Sequence, residues 1–341
     1  MFKNKKISLV LTTINKVSKN ILNIEKGCKK NNWELLIVGD QKTPKNFKLS
    51  YGKYHSLSDQ FKLNLSYAKK SPVNSYSRKN IAYLLSIKNN AEIIIETDDD
   101  NYPLKNFFED RSLIQKFSLV KNKGWINVYD IFKNNKALIW PRGLPLSEIL
   151  NKKIIKFITK KEKCYIQQGL CNLNPDVDAI FRLINNNINV KFKDNLKIGI
   201  SNNSITAFNS QNTTWFKEVF PLLYLPSNCS MRATDIWRSM IAQVILFNDK
   251  KSILFHSSNV FQKRNPHILM QDFRDEVSVY LNVDSIYLSL KKIKLKKGID
   301  NYLPNLVKCY DHLCRQNFFP NKEMILVNSW KKDIQKLIKS A

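Results

Sequence analysis

Three consecutive aspartates, Asp98-Asp99-Asp100, follow closely on the apolar run Ile93-Ile94-Ile95 and precede Pro103. A strand that ends in three carboxylates builds a dense negative site at a sheet edge. Their mutual repulsion calls for a cation, and a divalent ion carrying a diphosphate would answer it. On an extended backbone Asp98 and Asp100 fall on the same side, one holding the ion and the other the ion or a ribose. The competing reading is a capping turn, since Asp-rich turns before Pro are common. One capping aspartate would explain one residue, not three.

Four further groups could carry chemistry. Arg78 and Lys79 fall in the first turn of a helix capped by Ser77, where cations oppose the helix dipole. A diphosphate at that terminus would reverse the sign; otherwise they are two solvated cations. Asp235, in Thr234-Asp235-Ile236-Trp237-Arg238, heads an amphipathic helix. It could be a general base for a sugar hydroxyl or an N-cap. His256 and His267 could complete a metal shell or touch phosphate, or sit hydrogen-bonded at the surface. Asp176 and Asp178 precede Ile180-Phe181 and read first as caps, then as acceptor contacts.

Buried elements must position these groups. Ile7–Leu11, Leu35–Val38 and Ile93–Ile95 read as buried strands, and Val17–Lys30 and Ser77–Lys88 as helices between them. Continuous apolar strands alternating with helices predict a parallel sheet covered on both faces. Ligands bind such sheets at the carboxyl ends of the strands. Here those ends are Thr12-Thr13, Gly39-Asp40 and Asp98-Asp99-Asp100. The stretch 125–273 is less regular. From Glu276 the pattern turns helical, with helices expected over Tyr280–Ile293, Pro304–Leu313 (its proline at the first position) and Met324–Ile338.

Composition narrows the class. The 341 residues are 43% hydrophobic and 11% aromatic, with 8 Gly and 11 Pro, which excludes a disordered or low-complexity chain. The 56 Lys and Arg against 28 Asp and Glu give a net charge of +28, favouring anionic partners or reflecting compositional drift without one. The six cysteines form no CxxC pair, and His312 between Cys309 and Cys314 lacks a fourth zinc ligand, so free thiols in a reducing compartment are expected. The charged start Met1–Lys6 and the short run Ile7–Leu11 do not make a signal peptide, and no 18-residue apolar stretch exists. A cytoplasmic protein follows. Lys291–Lys297 would be a solvated helix face or a contact with anionic lipid at the inner face of the membrane. No Walker loop, GxGxxG, GxSxG or nucleic-acid module is present. A nucleic-acid partner, which the charge alone would suggest, leaves the aspartates unexplained.

Taken in order, a series of segments resembles the STELLO-type glycosyltransferase-like family. They are Val10–Asn15, Ile37–Pro44, Tyr76–Leu84, Glu96–Asn101, Pro175–Leu183, Asn209–Thr213, Asp235–Arg238 and Gln262–His267. The resemblance covers roughly residues 7–275. It implies an α/β GT-A fold, Rossmann-like with a mainly parallel central sheet. Residues 1–120 would form the nucleotide half, 121–275 the acceptor half and 276–341 a C-terminal helical appendage. Asp98 and Asp100 would be the DxD pair which, with Asp99 and with His267 as a late metal or phosphate ligand, holds Mn²⁺ or Mg²⁺. Thr12, Thr13, Asn15 and Asp40 would hold the nucleoside, Arg78 and Lys79 would face the diphosphate, and Asp235 would be the base, giving inversion. The implied activity is metal-dependent transfer of a hexosyl or pentosyl group from a nucleotide-diphosphate sugar to a glycan or lipid-linked hydroxyl, in surface polysaccharide or glycan synthesis. A nucleotide-sugar mutase and a non-catalytic scaffold of a polysaccharide synthase are the alternatives. Plant members carry a membrane-anchoring N-terminal region without counterpart here, which again points to a cytoplasmic relative.

Overall fold

A computed structural model describes residues 5–109, 111–185 and 189–339; most of the charged start, Met1–Asn4, lies outside the described residues. The first third runs β1 (Ile7–Thr13), α1 (Lys19–Lys30), β2 (Glu34–Gly39), β3 (Lys53–His55), α2 (Leu57–Lys62), α3 (Ser66–Lys70), α4 (Lys79–Lys88), β4 (Ile93–Thr97) and β5 (Asn101–Pro103). The middle holds β6 (Ile114–Val120), β7 (Gly124–Trp125), α5 (Val128–Phe132), β8 (Phe157–Lys163), β9 (Ile166–Asn172), α6 (Ala179–Ile184), β10 (Lys197–Ile200), β11 (Ser204–Ile205) and β12 (Asn212–Phe216). The chain ends in α7 (Thr234–Asn248), β13 (Ile253–Gln262), α8 (Leu269–Lys291), α9 (Tyr302–Arg315) and α10 (Glu323–Lys339).

The main sheet has the order β3-β2-β1-β4-β12-β9-β13-β10-β6-β8, with β5 paired to β13. The first four strands are all parallel, a Rossmann-like half. Their side chains are buried on both faces, as in Leu9, Val10, Leu11, Leu35, Leu36, Ile37, Ile94 and Ile95. Each such aliphatic side chain contributes about 1.5–3 kcal/mol of burial. β12 runs against both β4 and β9, and β13 runs with β9. The carboxyl ends of β1, β2, β4, β9 and β13 and the start of β12 therefore meet at one sheet edge. This register brings residues more than 200 positions apart to a single rim.

Helix α1 begins at its cap Ser18, whose hydroxyl accepts from the Ile21 amide, and it buries Ile21, Ile24 and Cys28 as the periodicity predicts. Helix α7 departs from expectation. It is buried on all sides from Thr234 to Phe247 rather than amphipathic, because sheet and C-terminal helices cover opposite faces of it. The boundary expected near residue 275 falls inside α8. Helix α8 packs on α6 and α7, and α10 packs on α3 and α4, so the C-terminal helices share the core of the sheet. Pro304 occupies the third rather than the first position of α9, still within the turn whose amides have no intrahelical acceptor. The segment after Lys291 is not helical; Ile293 and Leu295 pack against the core while the lysines around them point outward. Among the described residues no helix is long and apolar enough to cross a membrane.

Candidate active site

A cavity of about 600 Å³ opens at the shared rim, and charges of both signs line it. Asp40, Asp98, Asp99, Asp100, Asp176 and Asp235 face it together with Lys42, Arg142, Arg182, Arg232 and Arg264.

The three aspartates do not form an extended ladder. β4 stops at Thr97, and the Asn101 amide donates back to the Asp98 carbonyl at 3.2 Å, closing a turn. Each carboxylate then meets different donors. Asp98 Oδ1 accepts from Tyr76 Oη at 3.0 Å and Lys79 Nζ at 3.2 Å. Asp99 Oδ2 accepts from Thr13 Oγ1 at 2.5 Å and Asn15 Nδ2 at 2.9 Å, tying the end of β1 to the end of β4. Asp100 Oδ1 accepts from Gln262 Nε2 at 3.0 Å and Oδ2 from the Asn265 amide at 3.2 Å. Burial pushes the Asp98 carboxyl up to about 6; Lys79 draws it down and the neighbouring charge of Asp100 works against that. Asp98 still keeps 30% of its side-chain surface open.

Carboxylate oxygens suit hard cations such as Mg²⁺ and Mn²⁺. Among the described residues no three His, Cys, Asp or Glu side chains stand in ready ligating geometry. An ion held by one or two carboxylates and completed by a ligand's phosphates, the usual mode for Mg²⁺, does not require such a cluster. Asp98 is the best placed for this, being open to the cavity and bonded through Oδ1. His267 also lines the cavity, but its Nδ1 lies 3.1 Å from Oδ1 of Asp272, which also accepts from Arg264 through its other oxygen.

Asp235 sits in the first turn of α7, at the rim, where its carboxylate is fully engaged. Arg142 Nη1 donates to Oδ1 at 2.9 Å and Nη2 to Oδ2 at 3.1 Å, and the Ser210 amide and hydroxyl donate to Oδ2 at 3.1 and 3.0 Å. Burial pushes this carboxyl up, but the Arg142 guanidinium and the Ser210 amide outweigh it and hold Asp235 well below the usual range. Such a group is a poor proton acceptor. It is neither the free base nor the simple cap expected of it; it anchors Arg142. The same guanidinium reaches Asp176 through Nε at 3.0 Å and Nη2 at 2.7 Å. Tyr76 and Ser210, 2.6 Å apart through their hydroxyls, link this cluster to Asp98.

The C-terminal part of the chain, residues 232–339, matches the family of STELLO glycosyltransferases. Nearly the whole chain is also similar to two Arabidopsis thaliana proteins. Probable glycosyltransferase STELLO2 is 24% identical over 322 residues, 89% of this chain and 41% of its own length. Probable glycosyltransferase STELLO1 is 23% identical over the same shares. The chain is thus similar to STELLO-type glycosyltransferases. It spans about 41% of the length of these curated relatives. A mycobacterial protein of known crystal structure superposes with a TM-score of 0.42 and 10% identity over 82% of this chain and 74% of its own, too distant to carry an argument.

Thr12, Thr13, Asn15 and Asp40 all line the cavity. Asp40 accepts from the amides of Asn74 and Ser75, both at 2.9 Å, and so pins the loop that leads into α4. Arg78 does not reach the cavity. Its guanidinium is buried against Gln60 Oε1, at 2.8 and 2.6 Å, and the carbonyls of Ser71 and Pro72, at 3.1 and 3.2 Å. The helix expected to start at Ser77 opens with a 3₁₀ turn over Tyr76–Arg78, which rotates Arg78 inward. Lys79 is buried too and is committed to Asp98, so it does not stand free to meet a diphosphate. His256 lies in β13, away from the cavity lining; burial pushes it down to about 4, so it is neutral. Asp178 is the N-cap of α6, accepting from the Phe181 amide at 2.7 Å, whereas Asp176 belongs to the cavity.

Sequence reasoning passed over the arginines that line the cavity. Arg142 had a local signal. In Pro141-Arg142-Gly143-Leu144-Pro145 the Leu144 amide closes a turn onto Pro141 O at 3.2 Å, with Gly143 at φ +88°. A side chain there would meet Ala207 Cβ at 2.7 Å, so glycine lets the turn press into the core and present Arg142 to the rim. Arg182 and Arg264 lie inside the family-like segments Pro175–Leu183 and Gln262–His267 but nothing there set them apart, and Arg232 had no such signal in a chain with 56 basic residues.

Proposed function

We propose that this chain is a metal-dependent glycosyltransferase that moves a sugar from a nucleotide-diphosphate donor to a hydroxyl acceptor. The observation carrying the proposal is the convergence of three strand ends, Thr12-Thr13, Asp40 and Asp98–Asp100, on one cavity that several arginines also line, in a chain similar to probable glycosyltransferases. Thr12, Thr13, Asn15 and Asp40 would face the nucleoside. Asp98 and Asp100 would hold Mn²⁺ or Mg²⁺, with Asp99 bracing the loop. When bound, the ion would neutralise charge on the leaving diphosphate. Lys79 and Tyr76 would orient the Asp98 carboxylate, and Arg142, fixed between Asp176 and Asp235, would keep a positive charge at the sugar end. A place in surface polysaccharide or glycan synthesis with a glycan or lipid-linked acceptor, hexosyl or pentosyl transfer, and work at the cytoplasmic face of a membrane belong to the same proposal. The commitment of Asp235 to Arg142 favours one alternative, a nucleotide-sugar mutase, because no acceptor hydroxyl need be deprotonated there. Incubating donor alone and looking for an isomerised sugar separates the two.

A melting screen of nucleotide sugars with and without Mn²⁺ or Mg²⁺ tests the proposal. At a hundredfold excess over Kd, binding stabilises by about 2.7 kcal/mol. The expected result is a rise in melting temperature for donors of one base, present only with metal. No metal-dependent rise for any nucleotide sugar would sink it.

A further inference from the structure

Three of the arginines lining the cavity come from three separate elements. Arg182 lies on α6, Arg232 just before α7, and Arg264 just beyond β13, and all three line the cavity. Helix α8 holds two of them from behind. Asp272 and Glu276, one helical turn apart and both buried, take Arg264 Nη2 at 2.6 Å and Arg232 Nε at 2.7 Å. Arg182 has no such partner. It is only 6% exposed, and its guanidinium donates to neutral acceptors alone, Pro175 O at 2.8 Å and Asn174 Oδ1 at 3.5 Å; its Nε, also buried, has no hydrogen-bond partner. Burial first, and then the positive charges of Arg264 and Arg232, pull it down to about 10, with Asp176 and Asp272 opposing only weakly. A buried cation that bonds no carboxylate and sits beside two others is costly by itself. The Asp176 carboxylate nearby is already bonded by Arg142. Arg182 is therefore left without a bonded carboxylate of its own, and an incoming anion would supply that partner.

From this arrangement we infer that Arg182, Arg232 and Arg264 form an anion clamp for a phosphate or diphosphate group. Planar guanidinium forks match such oxygens in pairs. These arginines also stand next to the aspartates. Gln262 and Asn265 hold Asp100, and Arg264 lies between them in the chain. A diphosphate seated on the arginines would therefore lie within reach of an ion on Asp98–Asp100. The clamp takes over the part expected of Arg78 and Lys79, which face inward. The inference rests on the proposed donor chemistry only for the source of the phosphate, since an acceptor carrying a phosphate would present the same group.

Calorimetric titration of inorganic pyrophosphate into the full chain, with EDTA present, reads the clamp without the metal. Binding to the unmodified chain, weakened at least about tenfold by Arg182→Gln and by Arg264→Gln and not weakened by Asp98→Asn, is the expected result. A melting scan guards against misfolding. Removing an uncompensated buried charge should leave Arg182→Gln melting no lower than the unmodified chain, while its stabilisation by pyrophosphate is lost. No pyrophosphate binding, or equal binding by both arginine variants, overturns the clamp. Displacement of pyrophosphate by UDP, GDP, ADP or CDP assigns it to a donor diphosphate; simultaneous binding assigns it to a phosphorylated acceptor. If the arginine variants lose pyrophosphate while nucleotide-sugar binding proves independent of Asp98 and Asp100, the clamp stands and the metal-dependent donor reading falls.

Discussion

Replacing Arg142 by Met deletes the one cation shared by two buried carboxylates. The side chains of Arg142, Asp176 and Asp235 are only 5%, 10% and 7% exposed. The guanidinium supplies four N–H···O contacts to them, at 2.7 to 3.1 Å, and a further bond to the Arg232 carbonyl. Breaking a buried ion pair from one side costs about 3–5 kcal/mol. With two carboxylates stranded, the upper figure applies, near 5 kcal/mol, or about 10 °C at roughly 2 °C per kcal/mol for a chain of this size. The loss should depend on pH. In the unmodified chain Asp235 is held below its unfolded value, so its contribution is present above that value and fades only in acid. Without Arg142, burial dominates and raises the Asp235 carboxyl, so the variant is penalised increasingly as pH rises. Urea unfolding followed by circular dichroism should therefore give the full deficit at about pH 7.5 and a much smaller one at about pH 5. Arg142→Lys should recover only part, since a single ammonium cannot bridge both carboxylates. A deficit under about 1.5 kcal/mol, or one constant over this range, would refute the reasoning.

Three further outcomes follow from the same structure. Because the Asp98 carboxyl is pushed up to about 6 and must be deprotonated to hold an ion, Mn²⁺ affinity should be flat above that pH and fall about tenfold per unit below it, as titrations at several pH values would show. Glu96 is wholly buried and accepts from Arg238 at 2.7 and 3.0 Å and from Trp215 Nε1 at 2.8 Å. Glu96→Gln should cost about 3–5 kcal/mol in urea unfolding, whereas changing Glu96 and Arg238 together to Met should cost far less. Burial pushes the Cys164 and Cys309 thiols up to about 12 and Cys314 to about 11. Fewer than about one in a thousand of these would be thiolate at about pH 8, so Ellman's reagent should titrate them only after unfolding.

The parallel half was legible because its strands are unbroken aliphatic runs, Leu9–Leu11, Leu35–Val38 and Ile93–Ile95, and such runs have few alternatives to a doubly covered sheet. The same logic placed Thr12-Thr13, Asp40 and Asp98–Asp100 at one rim. The antiparallel strands were not legible. β12 is Asn-Thr-Thr-Trp-Phe and β9 contains two glutamines; both are buried and satisfied by partners far away in sequence. That pairing carries Asp176, Ser210 and Arg264 to the rim, and no local pattern encodes it. The misplaced residues share a cause. Arg78 and Lys79 were expected to meet a diphosphate or solvent, and Asp235 to act as a base or a cap, yet each is buried against a specific partner, contrary to the usual exposure of charged residues: Gln60, Asp98 and Arg142. Arg182 is the converse case, buried with no opposing charge bonded to it.

The most direct measurement is calorimetric titration of the donor selected by melting, with Mn²⁺ present, into the unmodified chain and into Asp98→Asn combined with Asp100→Asn. Metal-dependent binding by the first and none by the second is the predicted result. Equal affinity in the two proteins would contradict the assignment of the aspartates as the site of the metal-bridged donor.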